Sequence, residues 1–92
     1  MKIEKIEDGV VLMSGNSGDY TGFIENGNVS FSVIYDDVEL DNDNWEEVLG
    51  DDHLFVKLFN YMIQQRKKID VEVFEDYVML SMGVDDLLNV IK

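Results

Sequence analysis

The sequence predicts a single α+β domain, in which an antiparallel β-sheet carries one main helix and a short C-terminal helix. Three observations support this prediction. Turn-forming pairs separate alternating apolar stretches, one amphipathic stretch follows residue 53, and apolar side chains recur at helical spacing near the end. The 92 residues are 46% hydrophobic, enough for one core, so residues 1–92 are expected to form one domain with the order β-β-β-β-α-β-β-α.

Residues 2–15 predict the first hairpin, because apolar stretches flank Asp8-Gly9, a favoured two-residue turn pair. Residues 15–19 are turn formers in a row and predict a flexible loop. A phosphate-binding loop would have to lead into a helix, whereas this loop contains no Lys and leads into a strand pattern. A phosphate site is therefore not expected there.

Residues 20–35 predict the second hairpin. Asn26-Gly27 supplies a type I′ turn, because both residues tolerate a positive φ. Pairing outward from this turn places the bare Gly22 opposite Phe31, whose ring would cover it. One face of this hairpin is then apolar and the other mostly polar, so one face is expected to contact the core.

The main helix is predicted over residues 53–68, with Asp51 or Asp52 as its cap. Cations at residues 66–68 suit the negative end of the helix dipole and close the helix. The expected core-facing stripe consists of Phe55, Leu58, Phe59, Met62 and Ile63.

A third hairpin is predicted around Glu75-Asp76, because the apolar residues on either side of it alternate in register. Pairing across the turn aligns Ile69, Val71 and Val73 with Val78, Leu80 and Met82. Gly83 ends the second strand, and a final short helix follows, with apolar positions at Val84, Leu87, Leu88 and Ile91.

The net charge of −13 is concentrated in one part of the chain. Residues 7–55 contain thirteen acidic residues and no Lys or Arg, while the acids and bases of the remainder cancel. Such a field repels nucleic acid and anionic membranes and steers the protein toward basic partners. Solubility is the ordinary alternative explanation of an acidic surface.

Localisation follows from what the sequence lacks. It has no cysteine, which excludes disulfides and thiolate metal sites and fits a reducing cytosol. No stretch approaches the ~20 apolar residues of a membrane span, and the first residues do not form a signal-peptide core. A cytoplasmic protein is expected.

Half of the residues in positions 35–52, called here the acidic segment, are carboxylates, and none is basic. Its first part places acids at every second position, alternating with Val38 and Leu40, which predicts a half-buried strand that continues from the second hairpin. Alternate residues of a strand lie about 6.6–7 Å apart on one side, close to the phosphate repeat of a nucleic acid. The predicted row of carboxylates consists of Asp37, Glu39, Asp41 and Asp43.

The second part of the acidic segment predicts a helix, and Gly50-Asp51-Asp52 either ends it as a short helix or forms a weak point inside a longer one. Asp43 is a good N-cap, with Glu46 three residues later as in a capping box. Trp45 then lies beside the carboxylates, either as an aromatic anchor at an interface or, more ordinarily, in the core.

Neither an enzyme nor a metal protein is predicted. Asp51 or Asp52 could orient His53, the only histidine, but any capped helix start offers the same neighbours. No serine has the context of a nucleophile elbow. A calcium loop beginning at Asp37 fails at its most specific positions, because Asn42 replaces the required glycine and Val48 the bidentate glutamate. We expect no catalytic residues, no cofactor and no dedicated metal.

Binding to a basic protein is the remaining prediction. Direct nucleic-acid binding needs cations, and the only basic cluster is explained by a helix end. Small acidic nucleic-acid mimics, encoded by phages and mobile elements against restriction or CRISPR nucleases, share this charge. An immunity protein or antitoxin against a basic toxin nuclease predicts the same charge, and a small acidic adaptor is a third possibility. The predicted contact residues are Asp36, Asp37, Glu39, Asp41, Asp43, Trp45, Glu46, Glu47, Asp51 and Asp52.

Overall fold

A computed structural model describes residues 1–35 and 38–91. Over these residues the chain forms six strands and three helices, which confirms the α+β class. In chain order they are β1 (Lys2–Glu7), β2 (Val10–Gly15), β3 (Gly18–Glu25), β4 (Asn28–Ile34), α1 (Trp45–Leu49), α2 (Leu54–Gln64), β5 (Ile69–Val73), β6 (Tyr77–Gly83) and α3 (Val84–Val90). All strand pairs are antiparallel, and the sheet order is β1-β2-β3-β4-β6-β5.

The first hairpin is confirmed, with Asp8-Gly9 between β1 and β2. Its pairing contains a bulge, because Ile3 pairs with Met13 and Lys5 with Leu12, which leaves Glu4 as an extra residue. The bulge shifts the side chains of β1 by one position relative to β2. This shift explains why the apolar residues Ile3 and Ile6 of β1 lie three positions apart rather than two.

The flexible loop predicted over residues 15–19 is shorter than expected. Gly15 pairs with Gly18, so only Asn16 and Ser17 form the turn between β2 and β3. The surrounding residues extend the two strands because their backbone groups find partners across the hairpin.

The second hairpin is confirmed in its turn and in its register near the turn. Asn26 has φ 53° and Gly27 has φ 79°, as a type I′ turn requires, and Ile24 pairs with Val29. A Cβ on Gly22 would lie 2.6 Å from ring atoms of Phe31, so the Phe31 ring occupies the space that the missing side chain leaves.

The core lies between one face of the sheet and the helices. The inward residues of β2, β4 and β6 alternate with outward ones and pack against α2, and α1 and α3 add one side chain or two each. No described element covers the opposite face of the sheet, where Phe23 and Ile34 are each 66% exposed. The buried hydrophobic residues are Val11, Met13, Val29, Phe31, Leu40, Trp45, Leu49, Leu54, Phe55, Val56, Leu58, Met62, Val78, Leu80, Met82 and Leu87.

The main helix is shorter than predicted and its stripe is rotated. It ends at Gln64, and Ile63, expected in the core, is exposed, whereas Val56 is buried. Arg66 has φ 57°; its N–H donates to Ile63 O at 3.0 Å, and the Lys67 N–H donates to Met62 O at 2.9 Å. These two bonds form a Schellman end, so the basic residues lie beyond the helix rather than within it.

The third hairpin and the final helix are confirmed. Ile69 pairs with Met82, Val71 with Leu80 and Val73 with Val78, as the alternation predicts. Among the residues that the structure describes, no helix is both long and apolar enough to span a membrane.

Candidate functional site

The acidic segment does not continue β4 as a strand. β4 ends at Ile34, and residues 38–41 have no strand partner. The physical reason is the neighbouring strand, because β6 begins at Tyr77 opposite Ile34, and the chain before Tyr77 turns away toward β5. The predicted strand through Asp41 is therefore wrong.

Two backbone hydrogen bonds fix the path that the segment takes instead. The Tyr35 N–H donates to Asp76 O at 2.6 Å, and the Leu40 N–H donates to Glu75 O at 3.0 Å. The segment thus runs beside the turn between β5 and β6. Leu40 is buried while Val38 is 44% exposed, so the apolar reverse side expected of a strand is absent here.

Asp41 is a structural residue of this segment. One oxygen of its carboxylate accepts the backbone N–H groups of Asp43 and Asn44, both at 2.8 Å. The Asn44 side chain in turn accepts the Asp41 N–H at 2.8 Å and donates to Glu39 O at 3.0 Å. These four bonds close a compact turn before α1.

The predicted capping residue of α1 is also wrong. Asn44 occupies the N-cap position and makes no side-chain capping bond, and Asp43 caps nothing among the described residues. The Asp41 carboxylate, four residues before Trp45, instead accepts the N–H groups of Asp43 and Asn44 in the turn that precedes the helix. The sequence favoured Asp43 because a capping box needs only the local spacing, whereas the turn centred on Asp41 depends on Asn44 as well.

Trp45 is not part of the exposed acidic surface. Its side chain is 3% exposed and contacts Phe59 edge to face, with ring centroids 5.4 Å apart. A side chain this deeply buried cannot contact a partner without unfolding α1. Its predicted role as a contact residue is corrected, and its core alternative holds.

The carboxylates of the segment face solvent without cationic neighbours. Within residues 1–35 and 38–91 the ion pairs are Lys2–Glu4, Lys5–Glu7 and Lys67–Asp86, and none involves the acidic segment. The predicted contacts Asp36 and Asp37 lie outside the described residues. The half-buried carboxylate is Glu46, and the exposed ones are Glu39, Asp41, Asp43, Glu47, Asp51 and Asp52.

Three buried side chains hold this surface in place. Leu40 lies before the turn, and Trp45 and Leu49 lie on the inner side of α1. The acidic residues between and after them are therefore attached to a backbone that the core anchors at three points. A binding surface on such a backbone loses less conformational freedom on association than one on a free tail.

His53 is buried and caps α2 itself, contrary to the expectation that Asp51 or Asp52 would do so. Its Nδ1 accepts the Phe55 N–H at 3.1 Å, and its Nε2 lies 3.0 Å from the hydroxyl oxygen of Tyr20. Because Nδ1 is an acceptor, Nε2 carries the proton and donates it to Tyr20. Burial lowers the pKa of His53 from its ordinary value of 6.5.

The hydrogen bonds of His53 and Tyr20 continue into the turn between β2 and β3. The Tyr20 hydroxyl donates to Ser17 Oγ, 3.1 Å away, and the Leu54 N–H donates to the same atom at 3.1 Å. The first N–H groups of α2 therefore bond to the chain's own side chains rather than to an anion. Both nitrogens of His53 are engaged as well, which leaves neither free to exchange a proton with a substrate in this conformation.

Other features of the described residues concern metal binding and surface depressions. Across the described part of the chain, no group of three or more His, Asp or Glu side chains is arranged to hold a metal ion. A surface depression of about 520 Å³ lies between α2 and the end of α3, and its lining includes Lys57, Tyr61 and Val90 but no residue of the acidic segment.

No protein-family model, curated protein or solved structure matches the chain. The functional argument therefore rests on the charge and geometry of the acidic segment.

Proposed function

We propose that the protein is a non-catalytic acidic inhibitor that binds the basic nucleic-acid channel of a nuclease in place of DNA or RNA. One observation carries the proposal: the acidic segment presents exposed carboxylates on an anchored backbone, and none of those described is paired with a cation. Solubility alone does not require that Lys and Arg be absent from one region of the surface, because soluble surfaces usually mix both signs of charge.

The chemistry of recognition is shared between phosphate and carboxylate. Arg and Lys side chains that grip phosphate oxygens also grip carboxylate oxygens, and the planar Arg fork can do so with two hydrogen bonds. The long-range field of the segment would accelerate association with a basic channel. A competitor needs only to exceed the channel's affinity for nucleic acid, which is modest for non-specific binding.

The structure changes how the imitation would work. Without a strand through Asp41, the acids do not form the straight row with a strand repeat that the sequence favours. They lie instead on a turn, a five-residue helix and a second turn, between Glu39 and Asp52. The proposal therefore relies on a dense, fixed patch of negative charge rather than on a linear repeat.

An anti-defence protein of a phage or mobile element, acting in the cytoplasm on a restriction or CRISPR nuclease, is the role that we favour. An immunity protein against a basic toxin nuclease would use the same surface. The two roles separate in cells: an immunity protein rescues cells that express one cognate toxin and leaves defence nucleases unaffected.

The proposal is tested by competition. A labelled DNA duplex is bound to each of a panel of restriction and CRISPR nucleases, and its displacement by the protein is followed by fluorescence anisotropy. The test variant reverses Glu39, Asp43 and Glu47 to Lys, three residues whose carboxylates make no hydrogen bond with any described residue. The control variant reverses Asp19, Glu25 and Asp70, which are exposed on the sheet, so the net charge changes equally.

Displacement by the native protein should weaken steeply with added salt. The test variant should lose displacement, while the control variant should retain most of it. Equal displacement by the test variant and the native protein would refute the assignment of the acidic segment as the binding surface. Equal loss of displacement in the test and control variants would show that binding depends on net charge rather than on the acidic segment.

A further inference from the structure

A cluster of apolar side chains lies on the uncovered sheet face beside the acidic segment. Ile34 of β4 pairs with Tyr77 of β6, which places both side chains on the outward face. The Phe74 ring stacks on the Tyr77 ring, with centroids 4.5 Å apart and an interplanar angle of 16°. Ile34 is 66% exposed and Phe74 is 42% exposed. These three residues are called here the aromatic patch.

The aromatic patch and the acidic segment are neighbours through the backbone. Ile34 directly precedes the acidic segment, and the turn that carries Phe74 bonds to it through the carbonyl groups of Glu75 and Asp76. The side chains of both turn residues are exposed, and so is Glu72, which precedes the patch on β5. Carboxylates therefore border the aromatic patch on the side of the turn and on the side of the strand.

We propose that the aromatic patch is the part of the binding surface that selects arginine over lysine in the partner, and this proposal rests on the proposed function. A guanidinium plane stacks on an aromatic face and pairs with a neighbouring carboxylate at the same time. An ammonium group is more strongly hydrated and has no plane to stack, so it gains less from the rings.

Charge decides between an arginine-rich partner and the other occupants of such a patch. A purely apolar partner would remove the bordering carboxylates from water without offering them a cation, which is costly. A second copy of this chain would bring a net charge of −13 and one arginine to a surface that is already acidic. An arginine-bearing surface offers both the apolar contact and the opposite charge.

The sheet contains a matched control for the aromatic patch. Phe23 lies on the same outward face and is more exposed than Phe74. Its cross-strand neighbours are Val10 and Ser30. Like Phe74, it has a carboxylate two residues along the chain on the same face, Glu25, but its strand partners belong to β2 and β4 rather than to the turn that bonds to the acidic segment. If exposed aromatic area alone attracted cations, Phe23 would contribute as Phe74 does.

The test measures binding of two fluorescent peptides, one of eight arginines and one of eight lysines, by anisotropy at low and moderate salt. The native protein should bind the arginine peptide about two- to fivefold more tightly than the lysine peptide, the gain expected of an exposed cation–π contact. Phe74→Leu, which keeps an apolar side chain but removes one of the two stacked rings, should reduce this preference and leave the lysine affinity unchanged. Phe23→Leu should preserve the preference.

Absence of an arginine preference in the native protein, or its equal loss in both leucine variants, would overturn the proposal. The triple reversal of Glu39, Asp43 and Glu47 separates this outcome from failure of the proposed function. If the reversal weakens both peptides but Phe74→Leu changes nothing, the acidic surface stands and the aromatic patch is refuted. If the reversal leaves both peptides bound, the acidic segment is not the binding surface, and the proposed function fails.

Discussion

Nε2 of His53 lies 3.0 Å from the hydroxyl oxygen of Tyr20, and this contact joins the start of α2 to β3. The imidazole also accepts the Phe55 N–H, and Tyr20 contacts Ser17 in the turn before its own strand. The only histidine of this acidic chain is thus a structural residue whose neutral form is required, since a protonated Nδ1 could not accept a hydrogen bond.

The free energy of unfolding should fall as the pH is lowered from about 7.5 to about 5.5. Burial lowers the pKa of His53 in the folded chain below 6.5, so the unfolded chain takes up a proton in this range before the folded one does. The contribution is constant above the unfolded pKa and is lost progressively as the pH falls toward the folded pKa. Urea denaturation at a series of pH values measures the slope.

His53→Asn is the control for this titration. Asn is a good N-cap and does not titrate, so the variant should show a flatter stability profile over the same pH range, whatever its absolute stability. The carboxylates contribute equally to the pH dependence of stability in the native protein and in the variant. Parallel profiles for the native protein and the variant would mean that His53 is not the group responsible.

Gly22→Ala should destabilise the protein by about 1–3 kcal/mol, the range typical of overpacking. The added Cβ would lie 2.6 Å from the Phe31 ring and 2.7 Å from Cγ2 of Val29, and both residues are buried. In a double-mutant cycle, the cost should be smaller in a Phe31→Leu background, where part of the ring volume is removed. Additive costs would show that Phe31 does not restrict this position.

Residues whose structure depends on near neighbours in sequence were predictable. Asn26-Gly27 forms its hairpin turn because the φ preferences of these two residues suffice. The register of Val71 against Leu80 follows from alternation on both sides of a short turn. In each case a local preference and the burial pattern favour the same structure.

The acidic segment was less predictable because its structure depends on a strand that is distant from it in the sequence. Val38 and Leu40 alternate with acids as in a strand, yet a strand needs a partner, and β6 begins only at Tyr77. Where β6 pairs with β4 is a property of the whole sheet. His53 was likewise missed as a cap, since Tyr20 reaches it only through the fold.

Arg66→Gly should raise the free energy of unfolding by about 1 kcal/mol. Arg66 has φ 57°, a left-handed conformation that crowds the Cβ of every residue except glycine, and the helix-ending bonds need only its backbone. Arg66→Ala removes the same charge but keeps the Cβ, so it should not be stabilising. If both variants change stability equally, the effect belongs to the charge rather than to the backbone.

Asp41→Ala should cost about 0.5–2 kcal/mol, the range for loss of a capping side chain, whereas Asp43→Ala should be close to neutral. The two residues are both exposed and both acidic, but within residues 1–35 and 38–91 only the Asp41 carboxylate accepts backbone N–H groups, those of Asp43 and Asn44. Thermal denaturation of the two variants under identical conditions compares them directly, because each loses one negative charge from the same turn. A larger loss of stability for Asp43→Ala than for Asp41→Ala would support the capping box that the sequence favours. It would contradict the turn centred on Asp41. A result in the expected order would also identify Asp43 as a residue whose charge can be reversed in binding experiments without disturbing the fold.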